Sequence, residues 1–225
     1  IRQYRITNIS ATPTFYRLLI PADEKFPSVS RVTFGGEKFD SQTTNQIRNL
    51  FPNAKLTNVY ASTELGTLFA SKDNVFSIKP DMQQLVKIVN NELVVHNSLM
   101  GNYDRKDGEW YHTGDIVKII SKKPLLFSFL SRKNEMINVG GYKINPNEVE
   151  DAIRKINGIQ DVRVYSMPNS VLGNIICCEL IKNVEELTET DIRKILRVQL
   201  QEYKIPLVMR FVEKIALTRT GKVKR

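Results

Sequence analysis

The chain has 225 residues, a formal charge of +9, and 41% hydrophobic and 25% charged residues. This is the composition of an ordinary globular chain of one large or two modest domains, and no apolar run nears the ~18 residues that cross a bilayer. The basic residues are dispersed, with no stripe interleaved with aromatics, so the charge reads as an enzyme surface meeting small anions and not as a nucleic-acid interface.

Residues 1 to about 70 alternate helical and strand patterns, which implies a mainly parallel sheet. Thr12-Pro13 is a helix start, with Phe15, Leu18 and Leu19 on the expected inner face. Val29 to Phe34 reads as a buried strand stopped by Gly35-Gly36. A helix from Ser41 should bury Ile47, Leu50 and Phe51 and end at Pro52, before a strand over Leu56 to Tyr60. From about 80 to 130 the pattern is β-rich, a small barrel or folded sheet. Asn90-Asn91 is a tight hairpin turn between Leu85 to Val89 and Leu93 to His96. Asp107-Gly108 marks a further turn, followed by separate strands at Trp110 to His112, Ile116 to Ile120 and Leu125 to Leu130.

The style changes near Ser131. Asn145-Pro146 opens a helix, with Glu148 closing a capping box and Val149, Ala152, Ile153 and Ile156 on one face; Gly158 is the stop. Strands are expected at Val162 to Tyr165 and Ile175 to Ile181. A helix capped by Thr190 should turn Ile192, Ile195, Leu196, Leu200 and Tyr203 inward, and Arg210 to Ile215 should be the last strand. Cys177 and Cys178 are neighbours in a strand, so they face opposite ways and read as reduced thiols of a cytoplasmic protein. His96 and His112 sit in no ligand-spaced cluster, so no structural zinc is expected. The start at Ile1 has the look of a piece cut from something longer, and no secretory signal opens it.

Five polar clusters carry candidate chemistry. Gly35-Gly36-Glu37 follows a strand, and its glycines permit close approach of the backbone to a flat ring. Tyr60-Ala61-Ser62-Thr63-Glu64 is expected at a strand's carboxyl end, the ligand side of an α/β sheet. It offers an aromatic face, a hydroxyl for a phosphate oxygen and a hard carboxylate for Mg²⁺. His112-Thr113-Gly114-Asp115 presents a carboxylate that can accept two hydroxyl protons. Ser131-Arg132 leads to Gly140-Gly141-Tyr142, a surface bare of side chains. Gly221-Lys222 ends the chain with a flexible ammonium. Each cluster taken singly also reads as an ordinary polar turn.

In this order the clusters resemble the second half of the adenylate-forming enzyme superfamily: acyl-CoA synthetases, amino-acid adenylation domains and firefly luciferase. The resemblance implies that residues 1–130 are the end of a large adenylate-binding domain, α/β over 1–75 and β-rich over 80–130. Residues 131–225 would be a small, mobile α+β lid. It implies nucleotide contacts at Gly35, Gly36, Glu37, Tyr60, Ala61, Ser62, Thr63, Asp115 and Arg132. Thr63, Glu64 and Lys222 would be catalytic, with Glu64 on Mg²⁺; Asn134 would be the hinge, and Gly140 and Gly141 would face coenzyme A. Departures from the family pattern are Ala61 for glycine, Asn134 for aspartate or lysine, and Ala216 for proline.

The implied reaction joins a small carboxylic acid to ATP, releasing pyrophosphate, and then passes the acyl group from the adenylate to a thiol. Acyl- or aryl-CoA ligation is favoured by Met136 to Gly141; amino-acid adenylation with transfer to a carrier-protein thiol is favoured by Asn58 and Leu217-Thr218. A non-catalytic nucleotide-binding remnant is the reading from another class. The family's phosphate loop and most of its acyl pocket are not among these residues, so the 225 residues alone are expected to turn over poorly.

Overall fold

The computed structural model describes residues 1–20, 24–37, 41–101 and 108–217, and the chain divides into two compact units, Ile1–Lys133 and Asn134–Arg225. The first unit opens with β1 (Asn8–Ala11), α1 (Pro13–Leu19), β2 (Arg31–Gly35), α2 (Ser41–Leu50), β3 (Lys55–Ser62) and β4 (Gly66–Ser71). These strands form one sheet in the order β1-β2-β3-β4, parallel across the first three and antiparallel between β3 and β4. The short edge strand β1 carries no hydrophobic run and was not expected from the residue pattern.

Thr12 Oγ1 caps α1 by accepting from the Phe15 amide at 3.3 Å. The inner face differs from the expected one: Phe15 and Leu18 are 44% and 64% exposed, while Tyr16 is fully buried. The reason is polar. Tyr16 Oη donates toward Ile9 O and Thr33 O at 3.0 and 2.9 Å, so the hydroxyl enters the core already satisfied. Its ring then packs with Val32, Phe34, Ile47 and Phe51.

A second sheet comprises β5 (Phe76–Ser77), β6 (Val86–Val89), β7 (Glu92–His96), β8 (Trp110–Lys122) and β9 (Leu125–Arg132), ordered β5-β9-β8-β7-β6 and antiparallel throughout. The order is open, so among the described residues this is a folded sheet and not a closed barrel. Asn90 and Asn91 both take positive φ, 51° and 63°, as the tight hairpin requires. Asp107 lies outside the described residues. The two strands expected around Gly114 are one 13-residue strand. Gly114, at φ 72°, makes a bulge that bends β8 without reversing it.

The second unit comprises β10 (Ile137–Val139), β11 (Tyr142–Ile144), α3 (Pro146–Arg154), β12 (Ile159–Asn169), β13 (Gly173–Lys182), α4 (Glu189–Gln199) and β14 (Val208–Phe211). β10 and β11 form a hairpin, and β12-β13-β14 a three-stranded sheet. Val149, Ala152, Ile153 and Ile156 are buried against it, as the helical spacing requires. Asn145 Oδ1 caps α3 by accepting from Asn147 N at 3.0 Å. The Glu148 carboxylate turns to Lys204 Nζ at 2.7 Å instead of completing a capping box.

The cap of α4 is Thr188, not Thr190: Thr188 and Asp191 exchange side-chain and backbone hydrogen bonds, a reciprocal box that Thr190 does not match. The frame set by that box buries Ile192 and Leu196 and leaves Ile195 and Tyr203 37% and 40% exposed. Tyr203 instead stacks on Tyr142, with ring centroids 4.4 Å apart. The last strand ends at Phe211, short of the expected Ile215. Among the described residues, no helix is long and apolar enough to cross a membrane.

Cys177 and Cys178 are free and buried. Burial pushes the Cys178 thiol up from 9.0 to about 12 and raises Cys177 as well. Burial likewise raises the Tyr16 phenol. In each case the fold holds a proton that the unfolded chain releases first. Their neutral forms thus support the fold below about pH 9 to 10, and that support is lost as pH rises toward the folded values. Alkaline titration at 295 nm should show Tyr16 ionising only with cooperative unfolding. An aromatic thiol reagent should modify neither cysteine until that same transition; prompt reaction at neutral pH would contradict the burial.

Candidate functional site

Tyr60, Ala61 and Ser62 lie within β3, not beyond it, and Thr63 to Leu65 form the turn into β4. Parallel pairing with β2 and antiparallel pairing with β4 hold this end of β3 in place. Tyr60 Oη donates to Asp115 Oδ2 at 2.6 Å. Arg132 Nε donates to Asp115 Oδ1 at 3.0 Å, and Asp115 faces Arg132 in the register of β8 and β9. Three of the sequence-predicted residues, drawn from β3, β8 and β9, thus meet on one carboxylate that is only 7% exposed.

The Tyr60 ring stacks on Phe129, with centroids 4.2 Å apart and planes 10° from parallel. One face of the ring is therefore taken by the protein. Burial raises the Tyr60 phenol strongly, and the Asp115 charge raises it further. Tyr60 accordingly stays a proton donor to Asp115 at any physiological pH.

The carboxylate is aimed by the bulge in β8. Glu92 pairs with Ile116 and Val94 with His112, so β8 carries two more residues than β7 across this interval. Its backbone amides would otherwise lack ladder partners. Gly114 N donates to Glu92 Oε1 at 3.0 Å, and Asp115 N to Thr113 Oγ1 at 3.1 Å. Thr113 Oγ1 in turn donates to Leu93 O at 2.8 Å. Neither Glu92 nor Phe129 was anticipated from the sequence. The available signal for Glu92 was a charged residue opening the apolar run Leu93-Val94-Val95 on a strand.

Glu64 lies in the turn after β3. Its own backbone N–H and the Ser62 hydroxyl hold its carboxyl below the usual glutamate range, with a smaller push from Arg132. Ser62 Oγ also accepts from Leu65 N at 3.2 Å, and Glu64 O accepts from Gly101 N at 2.9 Å. The turn is thereby fixed, with Ala61 and Thr63 exposed. Among the described residues no group of three or more His, Cys, Asp or Glu side chains gathers to hold a metal. A lone ionised carboxylate fits Mg²⁺ brought in with phosphate oxygens and water as its other ligands.

Gly35 and Gly36 lie at the end of β2. A Cβ on Gly35 would stand 2.5 Å from Val59 O, so only glycine lets β2 and β3 approach here. The Glu37 carboxylate is committed to α1, accepting from Thr14 Oγ1 at 2.6 Å and from Thr14 N at 3.1 Å, with Arg17 at 3.8 Å. It braces the glycine turn against the helix start.

Asn134, Gly140 and Gly141 belong to the second unit. Gly140 and Gly141 turn β10 into β11 at φ 55° and 91°. Gly140 N donates to Leu172 O at 2.9 Å and Gly141 N to Asn138 Oδ1 at 3.2 Å. Lys222 lies outside the described residues.

Residues 1–117 match the family model for AMP-binding enzyme, and residues 148–222 that for AMP-binding enzyme C-terminal domain. Bacitracin synthase 3 of Bacillus licheniformis is 26% identical over 259 residues, an alignment that takes in 100% of this chain and 4% of that protein. The long-chain-fatty-acid–CoA ligase of Escherichia coli O6:H1 is 30% identical over 134 residues, 56% of this chain and 24% of the ligase. In fold, the chain resembles ATP-bound MatB from Rhodopseudomonas palustris, with a TM-score of 0.76 at 18% identity over 98% of this chain and 50% of that one. The chain thus spans half or less of each of these proteins.

Proposed function

We propose, from the premise that the chain belongs to the AMP-binding enzyme family, that it is part of an AMP-forming acid–thiol ligase. The reaction activates a small carboxylic acid with ATP and transfers the acyl group to coenzyme A. The observation that carries this reading is the convergence of Tyr60 and Arg132 on the buried Asp115 carboxylate.

Each Asp115 oxygen already accepts one bond and has a second lone pair, so the carboxylate can also take the two ribose hydroxyls without releasing Tyr60 or Arg132. A nucleoside held this way has its α-phosphorus fixed in line for attack by the acid. Gly35 and Gly36 offer bare backbone to the base. Ser62 and Thr63 offer hydroxyls toward the phosphates, beside the ionised Glu64. Mg²⁺ bound there would offset the repulsion between the two anions. Lys222 brings an ammonium to the acid carboxylate and the phosphate. The second unit, pivoting near Asn134, withdraws Lys222 after adenylation and turns the Gly140-Gly141 face to the incoming thiol.

The test separates the half-reactions in the full-length protein. Lys222→Ala should lower ATP–pyrophosphate exchange by at least about 100-fold while thioester formation from supplied acyl-adenylate continues. Unchanged exchange would remove Lys222 from the mechanism. A second reading, amino-acid adenylation with transfer to a carrier-protein thiol, is favoured by the alignment with bacitracin synthase 3 along the whole chain. Exchange assays across fatty, aromatic and amino acids distinguish the two.

A further inference from the structure

We infer that Glu92 is a positioning residue for the nucleotide grip, shaping the β8 bulge that aims Asp115 and holding the His112 ring and the Lys133 ammonium beside it; this rests on the reading of Asp115 given under Proposed function. Glu92 is 8% exposed on β7. Its Oε1 accepts from the Gly114 amide at 3.0 Å, immediately before Asp115. Its Oε2 lies 3.3 Å from His112 Nδ1 and 3.8 Å from Lys133 Nζ. His112 precedes the bulge, and Lys133 follows Arg132, the residue paired with Asp115. One buried carboxylate therefore touches β8 and the residue that follows β9, two of the three strands whose side chains form the grip.

A buried carboxylate needs such partners, because removing the charge from water is unfavourable unless hydrogen bonds and opposite charge replace the water. An alanine at 92 would leave the Gly114 amide without its acceptor and the bulge free to re-register. Thr113 is the second half of the brace, because its hydroxyl serves both the Asp115 amide and Leu93 O. Asp115 itself would be untouched by either change, so any loss of affinity would come from its aim.

The experiment measures AMP affinity calorimetrically and Gly114 amide exchange by NMR on the full chain. Glu92→Ala should weaken AMP binding about tenfold and speed Gly114 exchange. Thr113→Val, equal in size, should also weaken binding. Glu92→Gln keeps an oxygen for Gly114 and should recover affinity to within about threefold. Glu150→Gln is the control for simple destabilisation: Glu150 is 2% exposed and accepts from Val164 N in the other unit. It should lower stability without changing AMP affinity. Unchanged affinity in folded Glu92→Ala or Thr113→Val overturns the inference. Failure of the unsubstituted chain to bind AMP would count against the functional reading; Gly114 exchange then still decides the brace, and an unchanged rate in Glu92→Ala overturns it.

Discussion

Replacing Asp115 with alanine should weaken AMP binding by at least about 100-fold. The two ribose hydroxyls lose hydrogen bonds to a charged acceptor, each worth about 1.5–3 kcal/mol, and every 1.4 kcal/mol is about a factor of ten. The residues left behind add to the loss, since Tyr60 Oη and Arg132 Nε both donate to this carboxylate. Tyr60→Phe makes the useful contrast. It keeps the ring stacked on Phe129 and removes one donor that aims Asp115, so its effect should be only severalfold. Calorimetric titration with AMP, or the KM for ATP in the full-length protein, reads both variants. Equal affinity in Asp115→Ala and the unsubstituted chain would show that the nucleotide is held elsewhere.

The largest effect on stability should come from Arg154→Ala, at about 3–5 kcal/mol, the usual loss when one partner of a buried ion pair is removed. The Arg154 side chain is 11% exposed and lies 3.3 Å from Glu150, 3.7 Å from Asp151 and 3.4 Å from Asp161. It also donates to Val162 O at 3.2 Å, joining the end of α3 to β12. Without it, three carboxylates crowd one small region, and Glu150 keeps its place at 2% exposure. A domain of this size has only about 5–15 kcal/mol in hand. Urea denaturation followed by circular dichroism should show a fall in midpoint assigned to residues 134–225. Retention of the unsubstituted midpoint would mean that solvent reaches those carboxylates freely.

The features legible in the sequence were those encoded by neighbours. Asn90-Asn91 specifies its turn through two adjacent residues that tolerate positive φ, and Asn145-Pro146 opens α3 in the same local way. Three of the ordered clusters supplied Tyr60, Asp115 and Arg132, which meet on one carboxylate, and each cluster was legible as a short contiguous motif. The geometry of that meeting was out of reach, since Tyr60 and Asp115 are 55 positions apart. Errors arose where a distant partner overrode local pattern. Helical spacing favoured Phe15 and Leu18 for the inside, but carbonyls on two strands accept the Tyr16 hydroxyl and draw that ring in. Gly114 read as a turn because the sequence does not display Glu92 across the ladder, ready to take up its amide. Thr190 looked like a cap until the partner of Thr188, Asp191, set the frame.

The bond between Thr14 and Glu37 bears on how such chains diverge. A hydroxyl and a carboxylate 2.6 Å apart link a helix start to a glycine turn, and Arg17 joins them, donating to Thr14 Oγ1 at 2.7 Å and lying 3.8 Å from Glu37. A lineage that loses the acid at 37 leaves the alcohol at 14 with its bond from Arg17 and no link to the glycine turn, and one that loses the alcohol leaves the acid against α1 with one bond fewer. The two positions should therefore change together across descendants, although neither touches the Asp115 carboxylate. Inactive alleles mapping to Thr14 would then report a broken strut, not a missing reactant.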